Sequence, residues 1–287
     1  MVVGFPIKID KCRCFLYLLH KNMLHLACNK ATLVTRVVVL MRSTAGRRVP
    51  RRFVKEVFDK LCPTELPYHN HHHTYEVFEY TTILIKRLGA RLSSDERMIL
   101  MVAALCHDYG HEGKPNESFT RQRSASILSS SSFSDLGSID TSRSHNESFS
   151  VDVCVNFLKR YHADLFVKMS LCDVVDKFTD LILSTDLALH DKYFRMVNQH
   201  SCNIAFMILV LKVADLSHFL RPFEIHLYWV YRIHVEQHGQ ILPTPRFMAS
   251  DTIEFANRIV KPLLHLLGCT RCMADFTSNV NKWFQHL

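Results

Sequence analysis

Apolar side chains recur three and four positions apart along most of this chain, which places them on one face of an α-helix. Phe53, Val57, Phe58 and Leu61 mark the first well-patterned helix, and Pro63 and Pro67 close it. A second pattern opens at His69 and runs through Val77, Phe78, Thr81 and Leu84 to Gly89. Ser93, Ser94, Asp95 and Glu96 then read as an N-terminal capping turn before the apolar run Met98 to Leu105, with His107 and Asp108 emerging at its C-terminal end. The same periodicity returns at 151–158, 174–183, 204–216, 222–235, 253–267 and 273–284. Asn-Gly and Asp-Gly hairpin signals are absent, and Gly (8) and Pro (9) are scarce. The pattern predicts an all-α fold.

Two stretches interrupt it. Residues 121–150 hold twelve serines and only isolated apolar side chains, too few to offset the entropy of ordering, so a mobile surface loop is expected there. Arg121 and Arg123 near Ser124 and Ser126 could suit a basophilic kinase, a spacing serine-rich loops produce by chance. The N-terminus from Cys14 to Met41 is apolar overall, but His20, Lys21, His25, Lys30 and Arg36 break any window long enough to cross a bilayer. No transmembrane helix is expected, with a peripheral membrane contact left open. Residues 1–52 are set apart as an N-terminal extension and 53–287 as the domain.

Composition narrows the function classes. A chain of 287 residues with 48% hydrophobic content can bury one substantial core. Its formal charge of +8 favours an anionic substrate or surface, but much of the excess sits in Arg47, Arg48, Arg51 and Arg52, read as a solvated linker. No aromatics interleave with these charges as nucleic-acid binding would need, so no nucleic acid is expected. Ten cysteines scattered among apolar residues, with no secretory signal, fit a reducing, cytoplasmic setting. The pairs Cys12/Cys14 and Cys269/Cys272 lack the second pair a zinc ribbon requires.

Candidate chemistry lies in three segments: Tyr68-His69-Asn70-His71-His72-His73, His107-Asp108-Tyr109-Gly110-His111, and Asp215 in an apolar run. On helices, His69 would share a face with His73 and His107 with His111. Asp108 could bridge two divalent cations, and a carboxylate at Asp215 would be costly to bury unless a cation offset it. For His71, His72, His162, His226, His234 and His238 a plain structural role is preferred. For His69, His73, His107, Asp108 and Asp215 it is not, because three segments would have to mimic ligand spacing together.

These residues resemble the class I 3′,5′-cyclic nucleotide phosphodiesterases. Tyr68-His69-Asn70-x-x-His73 is similar to that family's YHNxxH element, and His107-Asp108-x-x-His111-x-Gly113-x-x-Asn116 to its HDxxHxGxxN signature. Thr185-Asp186-Leu187-x-x-His190 resembles TDMxxH, and Ala214-Asp215-Leu216-Ser217 with Arg221-Pro222 and Trp229 resembles ADxS…RP…W. The resemblance implies a compact multi-helix bundle of the HD type and hydrolysis of cyclic AMP or cyclic GMP to the 5′-monophosphate. It implies two divalent ions, with His73, His107, Asp108 and Asp215 on a zinc-like one and Asp108 also reaching a magnesium- or manganese-like one. It makes His69 the general acid, His111 and Glu147 outer supports, and Phe255, Ile233, His218 and Thr252 the base pocket. A homodimer is compatible with it.

The chain departs from the family pattern at Thr74 and Glu76, where alanine and aspartate are usual. His218 replaces an asparagine, Phe149 and Ser150 replace a double histidine, and Thr252 stands where a base-binding glutamine is usual. Thr252 is too short for a bidentate contact. A non-catalytic metal- or nucleotide-binding regulatory or scaffold protein, or another HD-type phosphohydrolase, is the competing reading.

Overall fold

A computed structural model describes residues 28–60, 66–114, 116, 144–239 and 244–287, and every regular element among them is helical. The chain runs α1 (Lys30–Ala45), α2 (Arg51–Lys60), α3 (His71–Leu88), α4 (Ser94–Cys106), α5 (His145–Leu165), α6 (Leu171–Leu183) and α7 (His190–Gln199). It continues through α8 (Asn203–Asp215), α9 (Phe223–His238), α10 (Pro245–Phe255), α11 (Lys261–Leu267) and α12 (Thr270–Trp283). The Cys12/Cys14 pair, Pro63, the Arg121/Arg123 spacing and residues 121–143 of the serine stretch lie outside the described residues.

Apolar α4 and α8 form the centre, with Met98 to Leu105 and Met207 to Leu211 almost entirely buried. α3 packs against both of them, so the ends of α3, α4 and α8 meet at one place. Lys30–Ala45, left in an N-terminal extension by the sequence pattern, is a helix whose Leu33, Val37 and Met41 are fully buried in the same core.

The end of the serine stretch is not loop. α5 begins at His145, and the buried positions of its first half are Asn146, Ser150 and Cys154, polar or small side chains that no hydrophobic pattern reveals. Hydrogen bonds hold its start instead: Asn146 N donates to Asn116 Oδ1 (3.0 Å), Asn146 Nδ2 to the Lys114 carbonyl (3.0 Å), and Ser144 Oγ to Asp186 Oδ2 (2.5 Å).

Local chemistry sets the other boundaries. Ser93 and Glu96 close a capping box on α4, whereas Asp95 does something else. Its carboxylate accepts from the backbone N–H groups of Val167, Lys168 and Met169 and from Arg47, fastening the α5–α6 connection to α4. Between α10 and α11 the helix widens into a π-turn over Ala256–Val260, just before Pro262, whose missing N–H interrupts ordinary helical hydrogen bonding.

Candidate active site

Asn70 decides where α3 starts. Its side-chain oxygen accepts from His72 N (2.9 Å) and His73 N (3.2 Å), while its amide donates to the Leu66 and Pro67 carbonyls (3.0 Å each). The helix therefore opens at His71, and His69 stands before it. His107 is likewise the residue after α4 ends, and His111 lies beyond a turn at Gly110. Gly110 takes φ +72°, and a Cβ there would come within 2.5 Å of the Phe149 ring. The expected pairing of His69 with His73 and of His107 with His111 on helical faces is therefore corrected: capping and turning send the members of each pair to different clusters.

The first cluster gathers His73 from the first turn of α3, His107 and Asp108 from the end of α4, and Asp215 from the last residue of α8. His73 Nε2 lies 3.2 Å from Asp215 Oδ1 and 3.4 Å from Asp108 Oδ2. His107 Nε2 lies 2.9 Å from Asp108 Oδ2 and 3.3 Å from Asp215 Oδ1. Both imidazoles are buried. His107 Nδ1 sits 3.1 Å from the Ala104 carbonyl, which can only accept, so Nδ1 is the donor there and Nε2 faces two carboxylates. Nε2 of His73, Nε2 of His107 and Oδ2 of Asp108 are buried and make no hydrogen bond. Lone pairs crowded together in this way call for a cation. The ligand atoms of His73, His107 and Asp215 all lie within 4.8 Å of one another, and mixed imidazole and carboxylate donors suit zinc-like and harder divalent ions. Burial draws the His107 imidazole down, but the Asp108 and Asp215 carboxylates outweigh it and hold its pKa well above the usual value.

The second cluster contains His69, His111 and Glu236. Glu236, on α9, accepts from Tyr68 N (2.7 Å), His69 N (3.1 Å) and His69 Nδ1. Its oxygens are thus occupied by N–H groups, and it acts as the support of His69. Burial lowers the His69 pKa, but Asp108 and Glu236 overcome this and raise it above 6.5. The His69 ring stacks on His111 with centroids 3.8 Å apart. His111 Nδ1 accepts from Gly113 N (2.9 Å), and burial together with His69 takes its pKa down to about 4. Of the two stacked rings, His69 is therefore the one that holds a proton more readily.

Glu147, in the first turn of α5, accepts from Asn116 Nδ2 (2.9 Å), the last residue of the HDxxHxGxxN match. Burial and the nearby Asp186 carboxylate push its pKa to about 7. Glu236 was missed by the sequence reading. The available signal was its place on one helical face with Trp229 and Ile233, seven and three residues earlier. A carboxylate at such a spacing looks like an ordinary surface residue until Tyr68 and His69 fold against it.

The residues assigned to a base pocket are placed in two neighbourhoods. Phe255 and buried Thr252 lie on α10 one turn apart, and Phe255 stacks on Phe219 at 6.0 Å. Ile233 packs in a smaller cluster with Tyr68, Ile225 and Trp229 on α9. His218, in the turn after α8, is buried beside Phe219 (4.5 Å) with Tyr68 at 6.4 Å.

A family model described as 3′5′-cyclic nucleotide phosphodiesterase matches residues 68–280, spanning both clusters. The chain belongs to that family. It is 26% identical over 247 residues to the high affinity cGMP-specific 3′,5′-cyclic phosphodiesterase 9A of Drosophila melanogaster, covering 76% of this chain and 15% of the relative. It is 27% identical over 184 residues to 3′,5′-cyclic-nucleotide phosphodiesterase 2 of Saccharomyces cerevisiae, covering 59% and 30%. The chain thus spans well under half of the curated relatives it matches. Among solved structures, the phosphodiesterase domain of the RhoPDE fusion protein of Salpingoeca rosetta superposes with a TM-score of 0.74 at 19% identity, covering 90% of this chain and 92% of that one. This phosphodiesterase-family chain therefore shares that domain's helical fold. No helix among its described residues is long and apolar enough to cross a membrane.

Proposed function

We propose that the chain hydrolyses 3′,5′-cyclic nucleotides to 5′-nucleoside monophosphates at the first cluster. The observation that carries this reading is the convergence of His73, His107, Asp108 and Asp215 from three distant segments, with buried atoms of His73, His107 and Asp108 that make no hydrogen bond. His73, His107, Asp108 and Asp215 would hold a zinc-like ion, and Asp108 would share a second, magnesium- or manganese-like one. Bound there, the ions would neutralise phosphate charge and make water more acidic.

Hydrolysis adds water across the P–O3′ bond, and O3′ must leave with a proton. His69 would supply it: Glu236 takes the Nδ1 hydrogen, which leaves the Nε2 proton for the leaving oxygen. Tyr68 N and His69 N on Glu236 fix the orientation of this pair, and the stacked His111 limits rotation of the ring. Glu147, held by Asn116, stands near Asp108 and would hydrogen-bond water in the cavity.

Purified protein with magnesium or manganese would be assayed on cyclic AMP and cyclic GMP beside His69→Ala and Asp108→Asn, with metal content measured on each. Turnover in the parent, lost in His69→Ala with metal kept and lost in Asp108→Asn with metal reduced, is the expected result. A parent that keeps metal without turnover is a scaffold, and turnover indifferent to Asp108→Asn removes the site.

A further inference from the structure

Three buried side chains beyond the metal-type cluster form one hydrogen-bonded line. Trp283 Nε1 donates to His226 Nε2 at 2.7 Å, and His226 Nδ1 meets His218 Nδ1 at 3.0 Å. Exposure is 3% for Trp283, 0% for His226 and 4% for His218, so no solvent disturbs the order of protons along it. An indole N–H can only donate, which makes His226 Nε2 an acceptor. Burial holds the His226 pKa well below the usual value and takes that of His218 to about 3, so both rings are neutral. A neutral His226 whose Nε2 accepts must carry its hydrogen on Nδ1, and that hydrogen goes to His218 Nδ1. His218 is then left with its hydrogen on Nε2. With both rings neutral, no other arrangement satisfies the tryptophan and both histidines.

The surroundings keep this order in place. The two imidazole planes are near parallel (15°) with centroids 5.1 Å apart, as an in-plane hydrogen bond between ring nitrogens requires, and Phe219 lies 4.5 Å from each. Asn279, one turn before Trp283 on α12, donates to the Phe219 carbonyl (2.9 Å) and the Arg221 carbonyl (2.7 Å), which ties the turn bearing His218 to the helix bearing Trp283. Nε2 of His218 makes no hydrogen bond among the described residues. Tyr68 lies 4.3 Å from His73 and 6.4 Å from His218, so a single ring separates His218 from the metal-type cluster.

We propose that Trp283 and His226 are positioning residues that lock His218 as a fixed Nε2–H donor toward the nucleotide base, favouring guanine over adenine. Guanine offers an oxygen acceptor at the six position, whereas adenine offers an amino group that would meet His218 donor to donor. This deepens the phosphodiesterase reading and rests on it.

The proton order is read from long-range ¹H–¹⁵N correlation spectra of the histidine-labelled chain, and base preference from equilibrium binding and KM for cyclic GMP and cyclic AMP. His218 should show its proton on Nε2, and the parent should prefer cyclic GMP. His226→Leu breaks the line, and the preference should fall about tenfold, through KM, as expected for one buried hydrogen bond. His226→Gln can accept from Trp283 and donate to His218, so it should keep both the tautomer and the preference. Trp283→Phe should let the tautomers mix, with thermal melting confirming that each variant folds. A proton on Nδ1 of His218 in the parent overturns the proposal, as does a preference unchanged in His226→Leu once the tautomer is lost. A parent that binds both nucleotides equally overturns it while sparing the phosphodiesterase reading. A parent that binds neither overturns that reading and the base partner together.

Discussion

At His69, a single side chain joins a capping turn, a carboxylate and a stacked ring. On the proposed function His69 acts as general acid and must carry its proton, so the rate should fall as pH rises through the His69 pKa, which Asp108 and Glu236 hold above 6.5. Glu236→Gln removes a charged hydrogen-bond partner worth about 1.5–3 kcal/mol, so the alkaline limb of kcat should move to lower pH by about one to two units. The pH profile of kcat checks this, and a limb that stays in place would detach Glu236 from the acid. His107, Asp108 and Asp215 were legible from residue type and spacing, because few side chains ligate divalent cations. Glu236 was not legible, since an acidic residue on a helix is ordinary until the fold presents it with three N–H groups.

Among the helices, periodicity located most elements, and caps located their ends. Ser93 with Glu96 was readable as a capping box, but the role of Asp95 was hidden because its backbone partners lie more than seventy residues away and Arg47 lies 48 away. Asp95→Ala would leave three backbone N–H groups and the Arg47 guanidinium without their acceptor, and should cost about 2–4 kcal/mol. Urea unfolding at neutral pH measures it. Burial pushes the Asp95 pKa up, but the backbone hydrogen bonds and Arg47 bring it below the usual 3.8. Its contribution is therefore full above pH 3.8 and is lost as pH falls through the lower, folded value. The start of α5 escaped the periodic reading because Asn146 and Ser150 are buried polar residues, held by hydrogen bonds rather than by apolar packing.

For the molecule as a whole, α1 and the metal-type cluster tie distant parts of the chain together. Leu33 is fully buried where α1 meets the core, so Leu33→Ala should lower stability by about 2–5 kcal/mol, read by chemical denaturation. A loss near zero would release α1 from the core. Zinc at a hundredfold excess over its dissociation constant should add about 2.7 kcal/mol, and chelation should lower the melting temperature correspondingly. The reason is that an ion would find its proposed donors together only where α3, α4 and α8 have already met. Insensitivity of melting to chelator would argue against that linkage.

What the sequence determined by itself was the helical class, through the three-and-four spacing of apolar residues, and the kind of chemistry, through donors that suit divalent ions. Which donors face one another was decided by tertiary structure. Asn70 and Gly110 turn the chain so that His69 joins His111 and Glu236, while His73 joins His107, Asp108 and Asp215. Local spacing fixes a side chain's direction only within an uninterrupted helix, and neither histidine pair lies within one: His69 precedes α3, and His107 and His111 follow α4. The order of protons from Trp283 to His218 likewise exists only because α9, α12 and the turn after α8 are packed together, away from water.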